Sequence, residues 1–323
     1  MYEEDLKESF HVRSFPFWND KYVSTYMHRK KIYIFHIVLL YIISLWKRIF
    51  QVIFFSTKFD VIIIQKAMIP WTNINFINFF KSKGKKVIFD IDDAVYLNKV
   101  DHSPLIAKKV DTVVVGNKNL ANYYKNYNNN ILIFPTVDYS PEYEKYRKNT
   151  FQTKVIGWIG SDTTIPNLEL VESAITKLIK KHPEVSFKII TNKNSKFNFS
   201  GKRNFHHIAW DINTYKEELS DITVGIMPLF DTEFNRGKCA FKLIQYLTMG
   251  KPVVASPVGI NTDVVGNAGL LATNEQEWFL NLELLLFDEY KYKSALISIN
   301  DEFDKTYNYE VVLDNWIQLI KEI

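Results

Sequence analysis

Arg236, Lys238 and Lys242 fall in one short stretch, between an apolar run at 223–227 and a helix-patterned run at 240–249. Lys238 and Lys242 are four apart and so share a helix face, with Gln245 one turn further along it. A helix N-terminus offers unpaired N–H groups and a partial positive charge. Three cations added to it make a binding site for a diphosphate. The spacing alone equally allows a basic surface helix in an ordinary βαβ unit. Pro228 closes the strand, Gly250 stands at a helix C-cap position, and Pro252 follows.

A second group, Asp90-Ile91-Asp92-Asp93, ends a strand predicted over 86–89. Asp-x-Asp is a pattern that can hold a divalent cation against a diphosphate. Without a metal, the same carboxylates can take hydroxyl groups, serve as a base, or cap the next element. His102 follows shortly. The seven histidines form no H-x-x-x-H or Cys/His cluster, so no zinc site is expected. Trp210, at a strand end, offers an aromatic face to a nucleotide base or simply packs in the core. There is no G-x-G-x-x-G and no Walker loop, which leaves a dinucleotide dehydrogenase or an NTPase without residue support. The single cysteine, Cys239, excludes an intramolecular disulfide and reads as loop packing.

These groups must be positioned by the rest of the 323-residue chain. Its 47% apolar and 24% charged residues are those of a globular protein, and its length suits two domains. A net charge of +4 permits an anionic substrate or surface and does not argue for nucleic acid. The acidic N-terminus lacks a secretory pattern, so the cytoplasm is the expected location. The apolar segment 32–46 lies between His28-Arg29-Lys30-Lys31 and Lys47-Arg48. It reads as a buried helix or one lying on anionic lipid, with a spanning helix as the alternative.

Short β-type runs at 59–65, 86–89, 111–115 and 131–134 alternate with helical patterns at 71–83 and 120–127, and 15–18 reads as a strand end. A second alternating series follows, with strands at 155–159, 185–190, 205–209, 223–227 and 253–255. Helices are predicted at 167–181, 215–219, 275–288 and 309–323. Repeated βα alternation predicts two parallel α/β domains, 1–150 and 151–308, with the polar stretch 138–153 as linker and the last helix packing back on the first domain. Ligands then belong at the carboxyl ends of the strands, in a cleft.

Four segments together carry a resemblance: Gly157-Trp158-Ile159-Gly160-Ser161, Gly225–Leu229, Arg236–Tyr246 and Gly250–Gly259. In this order and spacing the chain resembles GT-B glycosyltransferases, in particular the retaining family 4 group. The resemblance covers 55–285 well. It implies two Rossmann-like domains, the first abbreviated, and a nucleotide sugar as donor substrate with no metal or other cofactor. It implies a glycan or lipid-linked glycan acceptor. Gly160, Ser161, Trp210, Pro228, Arg236, Gly237, Lys238, Lys242, Gln245 and Gly259 would bind the donor. Asp92, Asp93 and Lys242 are the catalytic candidates, with Asp90 and His102 on the acceptor side. The family carries two glutamates eight positions apart. The later, which binds ribose, falls at Gln245, and the earlier falls at Gly237, leaving Glu233 or Asp231 as substitutes. Two functions follow: a transferase of cell-surface polysaccharide or glycoconjugate synthesis, peripheral on the inner face of the cytoplasmic membrane, or a non-catalytic GT-B protein that binds nucleotide sugar or supports a partner.

Overall fold

The computed structural model describes residues 2–26, 30–97, 101–199 and 203–323. The chain divides into two units, Met1–Phe134 with Leu313–Ile323, and Pro135–Val312.

The first unit holds a parallel sheet in the order β1-β2-β3-β4: β1 Val61–Gln65, β2 Lys86–Ile91, β3 Thr112–Val115 and β4 Ile131–Ile133. Val87, Phe89, Ile91, Val113 and Val115 are fully buried, as expected of apolar runs in a sheet covered on both faces. The register sets Gln65 opposite Asp90, so the first acidic residue leaves the sheet beside the end of β1. The helix predicted over 71–83 is confined to Ile77–Ser82. Before it, Trp71 has φ +65° and the side chains of Thr72 and Asn75 accept from the backbone N–H groups of Ile74 and Ile77. Those local bonds compete with a helix. The strand end read at 15–18 is not formed. Pro16 has no N–H to donate, Arg48 takes the Phe15 carbonyl at 2.7 Å, and Phe17 packs on Trp18 and Tyr41.

The apolar segment forms one long helix, Ile34–Phe54, extending past the basic pair. Val52, Tyr41 and Leu45 join the core of the first unit. Phe35, Val38, Leu39, Ile42, Ile43, Trp46, Phe50, Ile53 and Phe54 stand exposed at helical spacing along another face. By length and composition the helix could cross a membrane. Lys30, Lys31 and Lys47 are exposed, while Arg48 turns inward to Phe15; His28 and Arg29 lie outside the described residues.

The second unit holds six parallel strands in the order β10-β9-β8-β5-β6-β7. They are β5 Val155–Ile159, β6 Ser186–Thr191, β7 Phe205–Ala209, β8 Val224–Met227, β9 Val253–Ala255 and β10 Gly269–Leu271. One core cluster holds Trp158, Phe187, Trp278 and Leu282; another holds Leu243, Tyr246, Leu247 and Ile299. Strand β10 was not expected. It is three residues long, and a Cβ on Gly269 would meet the Val253 carbonyl oxygen at 2.2 Å, so only glycine lets the two strands close up. The 167–181 helix begins later, at Glu172, because Asp162–Leu170 winds as a tighter 3₁₀ segment containing Pro166.

The stretch 138–153, polar enough to read as a linker, is anchored into the second unit. Tyr143 is fully buried, and Arg147 donates to the Thr248 carbonyl and pairs with Asp304 at 2.9 Å. Thr150 Oγ1 donates to the Ile222 carbonyl. The fully buried Lys251 donates to the Lys148 carbonyl and to Thr150 Oγ1. Polar residues each given a partner can lie inside a domain, so composition placed the boundary near 150 and contacts place it at Pro135.

Candidate active site

In the second sheet the strand order reverses between β5 and β8, the place where α/β sheets bind ligands at their carboxyl ends. The turn at Gly160-Ser161 leaves β5 there, and the loop from Pro228 leaves β8 beside it. A Cβ on Gly160 would meet the Trp158 ring at 2.5 Å and Thr164 Oγ1 at 2.6 Å, so the turn needs glycine to stay this close. Ser161 accepts the Thr164 N–H through its carbonyl and bonds Thr163 Oγ1 through its hydroxyl at 2.9 Å.

The loop after β8 contains a single capped turn, Glu233–Arg236, with Thr232 accepting the Asn235 N–H. Arg236 is exposed and held bidentate by Asp231, at 2.6 and 2.8 Å. Gly259, at φ +62°, abuts this turn: a Cβ there would lie 2.7 Å from the Arg236 carbonyl oxygen. Gly237 is buried. Lys238 lies 5.1 Å from the Phe234 ring centroid.

The helix Phe241–Thr248 follows, entered through Ala240 in the left-handed region, φ +53°. Tyr246 pins it to the sheet by accepting the Ile159 N–H at 2.9 Å. Lys242, in the first turn, is half-buried with its ammonium 5.9 Å from the Trp158 ring centroid. Burial, and then the charge of Lys238, lowers its pKa to about 8. Among the described residues it has no ion-pair partner. A desolvated cation without an anion gains most when a ligand supplies one. Gln245, one turn on, is buried and donates to Asp138 Oδ2 at 3.3 Å.

Gly160 and Lys242 thus lie against the Trp158 ring and Gly259 against the Arg236 turn, while Ser161, Pro228, Gly237, Lys238 and Gln245 lie on the same turn, loop and helix. Trp210 stands apart from them. It leaves β7, two strands from β5 and therefore roughly 10 Å away. It is 46% exposed, bonded to the Thr191 carbonyl and stacked on Tyr215. An open depression of about 440 Å³ is lined by Asp162, Ile165, Pro166 and 192–196. Asp162 is held there by Asn192 and Ser195.

The first unit has its own strand-end group. Lys66, at φ +60°, pairs with Asp92 at 2.9 Å and Asp93 at 2.8 Å. Burial and then the Asp92 charge raise the Asp90 carboxyl to about 7, against a weaker bond from Gln65 and the charge of Lys66. Lys66 also lines a cavity of about 170 Å³ with Trp71, Asp101 and His102, so His102 shares a site with the acidic group through this lysine. Among the described residues no three His, Cys, Asp or Glu side chains converge to hold a metal ion.

Sequence reasoning missed Lys66, Trp71 and Asp138. Lys66 had a signal, since it directly follows the strand 59–65 and so sits at a carboxyl end. Trp71 and Asp138 had none: Trp71 reads as the start of a helix, and Asp138 reads as linker until Tyr143 and Gln245 supply its partners.

Residues 153–288 match the family model for glycosyl transferases group 1. No curated protein matches the sequence. Among solved structures, the chain resembles TarM, at 16% identity and TM-score 0.58, over 81% of this chain and 55% of that one. It resembles Anabaena Alr3699/HepE in complex with UDP and glucose, at 10% identity and TM-score 0.61, over 83% and 79%. It also resembles the pneumococcal O-GlcNAc transferase GtfA in complex with UDP and GlcNAc, at 13% identity and TM-score 0.57, over 76% and 54%. The chain therefore spans little more than half the length of TarM and of GtfA. At these identities the likeness is one of fold. The shared fold is that of two parallel α/β sheets of GT-B type, and the 153–288 segment that matches the glycosyl transferases group 1 model lies on the second sheet.

Proposed function

We propose that the protein is a glycosyltransferase that moves a sugar from a nucleotide-diphosphate donor to a glycan or lipid-linked glycan acceptor. The observation that carries this is Lys242: a half-buried lysine of lowered pKa, without an ion-pair partner among the described residues, beside the strand-order reversal. The family match over 153–288 and the UDP complexes of HepE and GtfA support the same reading. Arg236, Lys238, Lys242 and the helix N-terminus neutralise the departing diphosphate, and Gly160-Ser161 lets it approach the backbone. The bond from the sugar's anomeric carbon to the phosphate oxygen breaks as the acceptor oxygen bonds to that carbon. The acceptor proton passes to the leaving phosphate, a retaining, metal-independent course that needs no enzymatic nucleophile. Asp90, Asp92, Asp93, Lys66 and His102 bind acceptor hydroxyls in the first unit. Lys242→Ala tests this: transfer is lost while the thermal melt persists. Near-normal turnover would overturn the assignment.

A non-catalytic binding protein is the second reading, and one observation favours it. Gly237 brings no carboxylate to the site, and Asp231 already holds Arg236 with both oxygens, leaving Glu233 as the remaining acidic candidate. Tight UDP or GDP binding with no hydrolysis or transfer across a nucleotide-sugar panel would select it.

The helix Ile34–Phe54 supports a cytoplasmic protein held peripherally on the inner face of the cytoplasmic membrane. One face packs on the first unit's own core, which favours a helix lying on lipid over one crossing it. The other exposes a continuous apolar stripe, with Lys30, Lys31 and Lys47 exposed nearby to meet anionic headgroups. Co-sedimentation with phosphatidylglycerol vesicles tests it. Wild type should pellet and Leu39→Glu/Trp46→Glu should remain in the supernatant; a wild type that never pellets sinks the proposal.

A further inference from the structure

The loop that follows β1 has a residue in the left-handed region at each end. Lys66 has φ +60° and Trp71 has φ +65°, and neither is glycine. Such backbone is costly for a residue with a side chain and persists where its surroundings over-determine it. Here they do. The Lys66 N–H donates to the Asp90 carbonyl at 3.0 Å. Met68 and Ile69 are buried, and Tyr41 Oη donates to the Pro70 carbonyl at 3.0 Å. Trp71 is thus fixed by the backbone before it, yet it stays 57% exposed. Its ring stacks on Tyr41, with centroids 5.7 Å apart and planes 16° apart, and Trp18 flanks it at 5.4 Å.

A lone exposed aromatic ring is ordinary on a protein surface. This one lines the cavity of about 170 Å³, whose polar walls include Lys66, Thr72, Asp101 and His102. Asp101 Oδ1 accepts from the Ser103 N–H at 3.0 Å and Oδ2 from Ser103 Oγ at 2.8 Å. Each carboxylate oxygen is therefore fixed in place and keeps a lone pair for a further donor. Lys66 is already balanced by Asp92 and Asp93, so the cavity offers an anion no uncompensated cation. What fits is a neutral ligand with an apolar face for the indole and hydroxyls at its edge for the carboxylate and imidazole. A pyranose ring has both. Its axial C–H groups gather on one face and are attracted to the negative face of an aromatic ring, while its hydroxyls point outward.

We infer that Trp71 is the platform on which one pyranose ring of the acceptor stacks, with Asp101 and His102 taking its hydroxyls. The acceptor then presents a sugar ring to the first unit, and not an open-chain polyol. The inference rests on the acceptor-side reading above.

The test labels the full chain with 5-fluorotryptophan. Of its seven tryptophans, the Trp71 resonance is the one lost in Trp71→Phe. Methyl glycosides of glucose, galactose and N-acetylglucosamine are titrated beside sorbitol, which has hydroxyls without a ring face. At least one glycoside should shift the Trp71 resonance with a Kd on the order of 10 mM, the affinity of one ring contact and a few hydrogen bonds, and sorbitol should not. Trp71→Asn removes the ring and suits the left-handed backbone, so its melt should hold. Saturation transfer to the C–H protons of that glycoside should fall about fivefold in Trp71→Asn and persist in Trp71→Phe, which keeps an aromatic face. No shift with any glycoside at about ten times that concentration, an equal shift with sorbitol, or full saturation transfer in Trp71→Asn overturns the platform. A Trp71 resonance that answers only phosphatidylglycerol vesicles makes the ring a lipid contact and overturns it as well. A protein that binds a glycoside on Trp71 but turns over no nucleotide sugar keeps the platform and overturns the transferase reading instead.

Discussion

The two strand-end groups differ in charge and in how completely the protein satisfies it. In the first unit Asp90, Asp92 and Asp93 surround Lys66, whose ammonium is already paired with two carboxylates. In the second unit the cations dominate, and Lys242 is desolvated without an ion-pair partner among the described residues. An internally paired acidic group suits neutral hydroxyls, which it can accept from without a large change in charge. An unpaired, desolvated cation suits an anion, because the ligand relieves a cost that folding left in place. The difference argues for a neutral polyol at the first group and a diphosphate at the second.

The largest expected effect breaks the second group. Lys242→Ala should lower kcat/KM by about a hundred- to a thousandfold, the scale of removing one preorganised group that stabilises developing charge. Lys66→Ala should leave donor affinity within about twofold. If both variants lose donor binding equally, the assignment of one group to the donor fails. Calorimetry with UDP and GDP separates the cases.

A smaller effect acts through the backbone. Gly259→Ala places a methyl 2.7 Å from the Arg236 carbonyl oxygen, at a φ of +62° that alanine adopts only with strain. The Glu233–Arg236 turn must move, so donor KM should rise about tenfold with kcat less affected, and stability should fall by about 1–3 kcal/mol. An unchanged KM would mean the turn does not touch the donor.

How much of this was legible in the sequence follows from range. The strand ends, the 241–248 helix and its glycine cap rest on local pattern, and Val155–Ile159, Phe205–Ala209 and Val253–Ala255 form where the apolar runs predict them. The missed features are long-range. Gly269 reads as a loop until Val253 lies against it. The 138–153 stretch reads as a linker until Thr248, Asp304 and Ile222 supply its partners. Lys251 follows the Gly250 helix cap in the sequence and is fully buried on a carbonyl and a hydroxyl, and burial lowers its pKa to about 7. The acidic cluster at 90–93 was legible as carboxylates but not as a salt-bridged group, because Lys66 arrives from another strand.

The two groups should also separate by pH. Lys242 titrates near 8 in the unliganded protein, and a bound diphosphate raises that value by adding the missing opposite charge. Nucleotide binding should therefore take up a fraction of a proton near pH 8.5 and almost none at pH 6.5, read as a dependence of the binding heat on buffer ionisation enthalpy. Lys242→Met should abolish that uptake. Persistence of the uptake in the variant would move the linked group elsewhere.

The smallest effects belong to the first group. Asp90 has a folded pKa raised from 3.8 to about 7, so between those values the folded state keeps a proton that the unfolded chain has released. Its contribution favours folding at low pH and is lost as pH rises toward 7. Melting wild type and Asp90→Asn at pH 5 and pH 7.5 isolates it: the stability difference between the two pH values should shift toward higher pH in the variant, which cannot titrate. Lys66→Met should change stability by less than about 1 kcal/mol, since its ion pairs are well exposed and such pairs contribute little. It also removes the cation that holds Asp90 down, so the Asp90 transition should move above 7. A Lys66→Met protein whose pH profile overlays wild type would show that the lysine and Asp90 do not sense each other. The first group would then be a set of strand-end carboxylates rather than a coupled site.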